Sequence, residues 1–94
     1  MGWYGDRVVR EALTELERAR GLALGHALRT ARGAMPVREL AVRAGLAEET
    51  IRKIERGAVP TPALFTVAAI AAVLQVPLDQ LVRAATAGSD AAVA

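Results

Sequence analysis

Residues 38–57 read Arg38-Glu39-Leu40-Ala41-Val42-Arg43-Ala44-Gly45-Leu46-Ala47-Glu48-Glu49-Thr50-Ile51-Arg52-Lys53-Ile54-Glu55-Arg56-Gly57, and their spacing decides the fold. Leu40-Ala41, then Gly45-Leu46, then Ile51 and Ile54 suit two short helices packed across a sharp turn. Ala41 is small where the helices must approach, Gly45 supplies the backbone freedom of the turn, and Leu46 plugs the angle between them. The first helix is expected from about Pro36, whose missing N–H does no harm at a first helical position, to Ala44. The second is expected from Ala47 or Glu48 to Arg56, with Gly57 ending it. Ile51 and Ile54 face inward, so Glu48, Glu49, Arg52, Lys53 and Arg56 lie on or near a free outer face.

Upstream, Asp6 is a plausible N-cap for a helical pattern running towards Arg32. Its stripe is Val9, Leu13, Leu16, Ala23, Ala27 and Ala31. Gly21 and Gly25 each cost about 1 kcal/mol against Ala in a helix interior. The segment therefore reads as one long helix, or as an N-terminal extension and a core helix from about Leu22 to Arg32. Downstream, Pro60 and Pro62 mark a loop, with Thr61 able to cap a fourth helix that has Pro62 at its first position. Leu64, Val67, Ala68, Ala71 and Leu74 form the inner face of that helix, with Phe65 and Ile70 extending the apolar surface round the side. A fifth helix begins near Pro77 and carries Leu78, Leu81 and Val82. Nothing reads as a strand. The expectation is an all-α chain, with a helical extension at 1–21, a five-helix domain at 22–83 and a flexible tail at 84–94.

Ninety-four residues suffice for one modest core. Hydrophobic residues make up 53% and aromatics only 3%, so the core must come from Leu, Ile, Val and Ala. The absence of Cys excludes disulfides, thiolate metal sites and cysteine nucleophiles, and His26 is the only histidine. No nucleophile–base pair, metal cluster or phosphate-cradling glycine loop is found, so no catalytic residue, metal or cofactor is expected. The formal charge is +2, but nine cations lie between Arg18 and Gly57 against four carboxylates, whereas 58–78 carries no charge. A basic half suits a polyanion. The most apolar stretch, 58–78, is interrupted by three prolines, so no membrane span is expected. The opening residues lack a signal-peptide layout, which makes the cytoplasm the default location.

Leu24-Gly25, Leu28-Arg29 and Arg32 resemble the first-helix pattern of the phage repressor and Cro-like helix-turn-helix family. The middle of that pattern is matched by Glu39-Leu40-Ala41, Ala44-Gly45-Leu46, Thr50-Ile51 and Ile54-Glu55-Arg56-Gly57. Pro62, Thr66-Val67, Ile70-Ala71, Leu74 and Val76-Pro77-Leu78-Asp79-Gln80-Leu81 resemble its last two helices. The resemblance implies a compact five-helix repressor-like fold, a homodimer, and double-stranded operator DNA as the partner. It places Glu48, Glu49 and Lys53 at base-contacting positions, with Thr50 and Arg52 close by and Arg56 towards the backbone. Arg38 and Arg32 join them as candidate DNA contacts, and Arg38 and Arg43 can either meet phosphates or stand merely exposed. In this family the residue at Glu55 pairs with a first-helix Arg, for which Arg29 and Arg32 both qualify.

The chain departs from the family in three places. Glu48-Glu49 sets two carboxylates at the tip of the recognition helix, where they can stabilise the helix start or accept from cytosine N4. Ala47 and Pro36 replace hydroxyl N-caps, and Val37 replaces a phosphate-binding Gln. The loop between the first two helices is shorter by about two residues, counted against the helix-turn-helix pattern. Two functions follow. The first is a dimeric, sequence-specific transcriptional regulator, including the variant of an antitoxin with a toxin or other regulator as protein partner. The alternative is a protein-interaction or oligomerisation module of the same fold that has lost DNA binding.

Overall fold

The computed structural model describes residues 14–93, with side chains as far as Gly88. Its elements are α1 (Glu15–Arg32), α2 (Val37–Ala44), α3 (Glu48–Glu55), α4 (Leu64–Leu74) and α5 (Leu78–Val93), with no strand among the described residues. The all-α, five-helix expectation is met.

Helix α1 begins with a full capping box. The Thr14 hydroxyl accepts from the Glu17 N–H at 3.1 Å, and the Glu17 carboxylate accepts from the Thr14 N–H at 3.1 Å. The helix then runs through Gly21 and Gly25 without a break, so the boundary expected at 21/22 falls inside a continuous element. Its buried face is Gly21, Gly25 and Leu28, followed one turn later by Arg32, and not the alanine stripe. The reason is contact. A Cβ on Gly25 would strike the Ile54 carbonyl oxygen and come within 2.6 Å of that of Glu55, while one on Gly21 would sit 2.6 Å from Pro60 Cα. Asp6, Val9 and Leu13 lie outside the described residues.

Helices α2, α3 and α4 end alike, with one residue in the left-handed region and two closing hydrogen bonds. Gly45 (φ 70°) donates to Val42 and Leu46 to Ala41, at 3.3 and 2.9 Å. After α3, Gly57 (φ 76°) donates to Ile54 and Ala58 to Lys53, at 3.0 and 2.9 Å. After α4 the same place is held by Gln75 (φ 57°), a non-glycine residue. None of these three helices has a side-chain N-cap: Pro36, Ala47 and Ala63 stand there. Pro36 is thus the residue before α2 and not its first member, and α4 starts after Ala63, two residues beyond the expected cap at Thr61.

The core joins Leu28 of α1, Leu40 and Ala41 of α2, Ile51 and Ile54 of α3, Val67, Ile70 and Ala71 of α4, and Leu81 of α5. Val37 and Leu46 pack against it. Leu64, expected on the inner face, is 60% exposed, and Val82 of α5 is 54% exposed. Leu64 is the first residue of α4 and faces solvent, while Ile70 is fully buried. The expected tail from 84 is replaced by further turns of α5, which pack along α1 with Ala85 buried and Gly88 against Ala23.

Candidate nucleic-acid interface

The short turn and the inward Ile51 and Ile54 fix which side of α3 meets solvent. Successive helical residues are turned by about 100°, so Glu48, Arg52, Arg56, Glu49 and Lys53 share an arc of about 140°. Arg52, Lys53 and Arg56 are exposed, and no described residue covers them. Thr50, at the edge of this arc, is half-buried.

Carboxylates on the same helix hold two of the three cations. Arg52 Nη2 donates to Glu48 Oε1 at 3.0 Å, one helical turn back, and Arg56 Nη1 donates to Glu49 Oε1 at 3.4 Å. Both pairs are solvent-exposed and contribute little to stability. Lys53 has no ion-pair partner among the described residues and presents an uncompensated charge. Glu48 and Glu49 also occupy the first turn, where the helix dipole favours negative charge. The two functions weighed for them from sequence are therefore compatible.

Arg32, a candidate DNA contact, is placed otherwise. Its Nε and Nη2 donate to Glu55 Oε2 and Oε1 at 2.7 and 2.9 Å, and its Nη1 donates to the Met35 carbonyl at 2.8 Å. The two side chains are only 15% and 10% exposed. The hydrogen bonds to Glu55 raise the pKa of the guanidinium further above its ordinary value; partial burial opposes this and the carboxylate charge adds to it. Arg32 thus ties the end of α1 to the end of α3 and offers no free donor fork to a ligand. Arg29, the other candidate partner of Glu55, is exposed on α1.

Arg38 is exposed in the first turn of α2, beside a shallow depression lined by Pro36, Glu39, Val42 and Arg43. Arg43 is paired with Glu39 at 3.2 Å. Because α2 and α3 lack side-chain caps, the first-turn N–H groups of Val37, Arg38 and Glu39 and those of Glu48 and Glu49 remain open to an outside acceptor such as phosphate, while the Thr50 N–H turns back to the Ala47 carbonyl at 3.1 Å. Val37 donates nothing from its side chain and packs against the core instead.

Sequence reasoning passed over Gly25, whose missing side chain lets α1 rest on the end of α3. Its four-residue spacing from Gly21 was the available signal, since two glycines one turn apart mark a face meant for close approach. Among the described residues no group of His, Asp and Glu could hold a metal ion, and no single helix is long and apolar enough to cross a membrane.

The sequence profile of the helix-turn-helix family matches residues 27–81, more than half of the chain, so the chain belongs to that family, of the Cro/C1 type. It is a DNA-binding family and not one of enzymes. Among its relatives is an uncharacterized HTH-type transcriptional regulator, RghRB, of Bacillus subtilis (strain 168). That protein is 44% identical over 75 residues, covering 80% of this chain and 45% of its own length. The chain thus spans less than half of that relative.

Proposed function

We propose that this chain is a sequence-specific transcriptional regulator that places α3 in the major groove of operator DNA and acts as a homodimer. The observation that carries the reading is the uncovered outer face of α3, with Arg52, Lys53 and Arg56 on one arc. Phosphates would be met by Arg38, by Arg56 and by the open amides at the starts of α2 and α3, fixing the helix in the groove. Two copies would reach successive major grooves about 34–36 Å apart.

The dimer reading is supported by a second surface. Leu64, Phe65 and Val82 are exposed, Phe65 at 83%, and Leu64 and Val82 border a mainly apolar groove with Pro60, Pro62 and Leu78. The N-terminal part of the apolar stripe, which could also serve self-association, lies outside the described residues except for Leu16. Phe65→Lys is expected to convert a dimer into a monomer in light scattering and to weaken operator binding. A wild-type chain that stays monomeric at its highest soluble concentration would overturn the dimer.

The DNA reading is tested by mobility shift with Arg52→Ala combined with Lys53→Ala. Loss of a groove-facing contact costs about 1–3 kcal/mol, so affinity should fall about tenfold or more. Binding that is unchanged removes α3 from the interface. The alternative, an interaction module that no longer binds DNA, is favoured by one observation: Glu48 and Glu49 engage two of the three cations. If it holds, the wild-type chain shifts no DNA, and changing both glutamates to glutamine creates binding.

A further inference from the structure

Resting on the reading of α3 as the groove-facing helix, we infer that Glu48 and Arg52 act as one unit that recognises a G·C base pair. The pair is joined by a single hydrogen bond, from Arg52 Nη2 to Glu48 Oε1 at 3.0 Å. The bond uses one of the two Nη2 hydrogens; the other, with the adjoining Nε or Nη1 N–H, makes a donor edge that no described residue occupies, and Glu48 Oε2 accepts from no described residue. A donor edge and an acceptor oxygen are therefore presented side by side, on the solvent face of the first turn and a half of α3. A G·C pair offers the matching pattern in the major groove: guanine N7 and O6 as adjacent acceptors, then the cytosine N4 amine as donor. An A·T pair sets its N6 amine where the guanidinium needs an acceptor, and its thymine O4 against the carboxylate, so both elements are mismatched.

Charge points the same way. A lone glutamate facing DNA is repelled by phosphate, whereas the Glu48–Arg52 unit is neutral and leaves the general attraction to Lys53 and Arg38. Discrimination is then carried by hydrogen-bond pattern and not by charge. The pairing adds little to the stability of the helix, so it can adjust to the base pair at little cost.

The test is a randomised-DNA selection with the purified wild-type chain and with Glu48→Gln, followed by fluorescence anisotropy on the selected site and its single-pair variants. The wild type should show a fixed G·C pair once in each half-site, and exchanging it for A·T should lower affinity by about 5- to 150-fold. Glu48→Gln, whose amide suits adenine N6 and N7, should accept A·T there and reduce that ratio to a few-fold. Its melting midpoint should fall by no more than a few degrees, because only one weak ion pair and one first-turn charge are lost. Replacing the guanine by 7-deazaguanine should weaken the wild type and leave Arg52→Ala unaffected. An A·T pair or no preference at that position, or a ratio unchanged in Glu48→Gln, overturns the inference and leaves the regulator reading intact. If the wild type enriches no sequence at all, the regulator reading itself fails and the inference with it.

Discussion

Gly25→Ala should lower the melting midpoint by about 10 °C, although alanine is the better helix former. The substitution gains about 1 kcal/mol of helix propensity in α1. Against that, the new methyl group would lie 2.6 Å from the Glu55 carbonyl oxygen and closer still to that of Ile54. Both are backbone atoms in the last turn of α3, so no rotamer change relieves the clash and α1 must lift off. Overpacking of this kind costs typically 1–3 kcal/mol, and a contact with rigid backbone belongs at or above the top of that range, for a net loss of about 2 kcal/mol. In a domain of this size each kcal/mol moves the midpoint by about 4–8 °C. Thermal unfolding followed by circular dichroism measures it. Gly21→Ala is the internal comparison, because its obstacle, Pro60, belongs to a loop that can shift, and its loss should be smaller. A Gly25→Ala chain as stable as the wild type would mean that α1 and α3 are not in contact as described.

Glu55→Ala should be at least as damaging, at about 3 kcal/mol in urea unfolding. It removes the partner of both Arg32 Nε and Nη2 and leaves the guanidinium with only the Met35 carbonyl, in a site where it is 15% exposed. Breaking a buried ion pair from one side costs about 3–5 kcal/mol, and the lower end applies here because Arg32 can still reach some solvent. Removing both charges is a different experiment. Arg32→Met with Glu55→Leu fills similar space and should recover most of the loss, since a well-packed apolar pair commonly replaces an ion pair at little cost. If the double variant is as unstable as Glu55→Ala, the loss comes from packing and not from an orphaned charge.

The parts of the fold that periodicity controls were legible in the sequence. Leu40, Ala41, Ile51, Ile54, Val67, Ala71 and Leu81 follow helical spacing and are buried. Gly45 and Gly57 stand where a left-handed residue ends a helix. What periodicity cannot express was misread. Gly21 and Gly25 count as helix weakeners on any propensity scale, yet their value lies in contacts with residues some thirty or more positions away. Leu64 has the right spacing for an inner face, but it is the first residue of its helix and stays 60% exposed, whereas Val67, Ile70 and Ala71 are covered. At the candidate site, the outer arc of α3 was readable from the inward Ile51 and Ile54. The separation of roles among its arginines was not, because both Arg29 and Arg32 suit Glu55 and only the packing of Gly25 and Leu28 inward, a face that Arg32 continues, selects Arg32.

The placement of Ile51, Ile54 and Glu55 beneath α3 has a consequence for how such a protein can change. Those three positions hold the helix to the rest of the domain, while Glu48, Glu49, Arg52, Lys53 and Arg56 stand on its far side and bear almost none of the folding load. A helix of eight residues is too short to persist alone, so its shape is guaranteed from below and not by its own outward residues. The outward set can therefore be rewritten by mutation without endangering the scaffold, and on the proposed reading of α3 a lineage carrying this domain is free to exchange one target sequence for another.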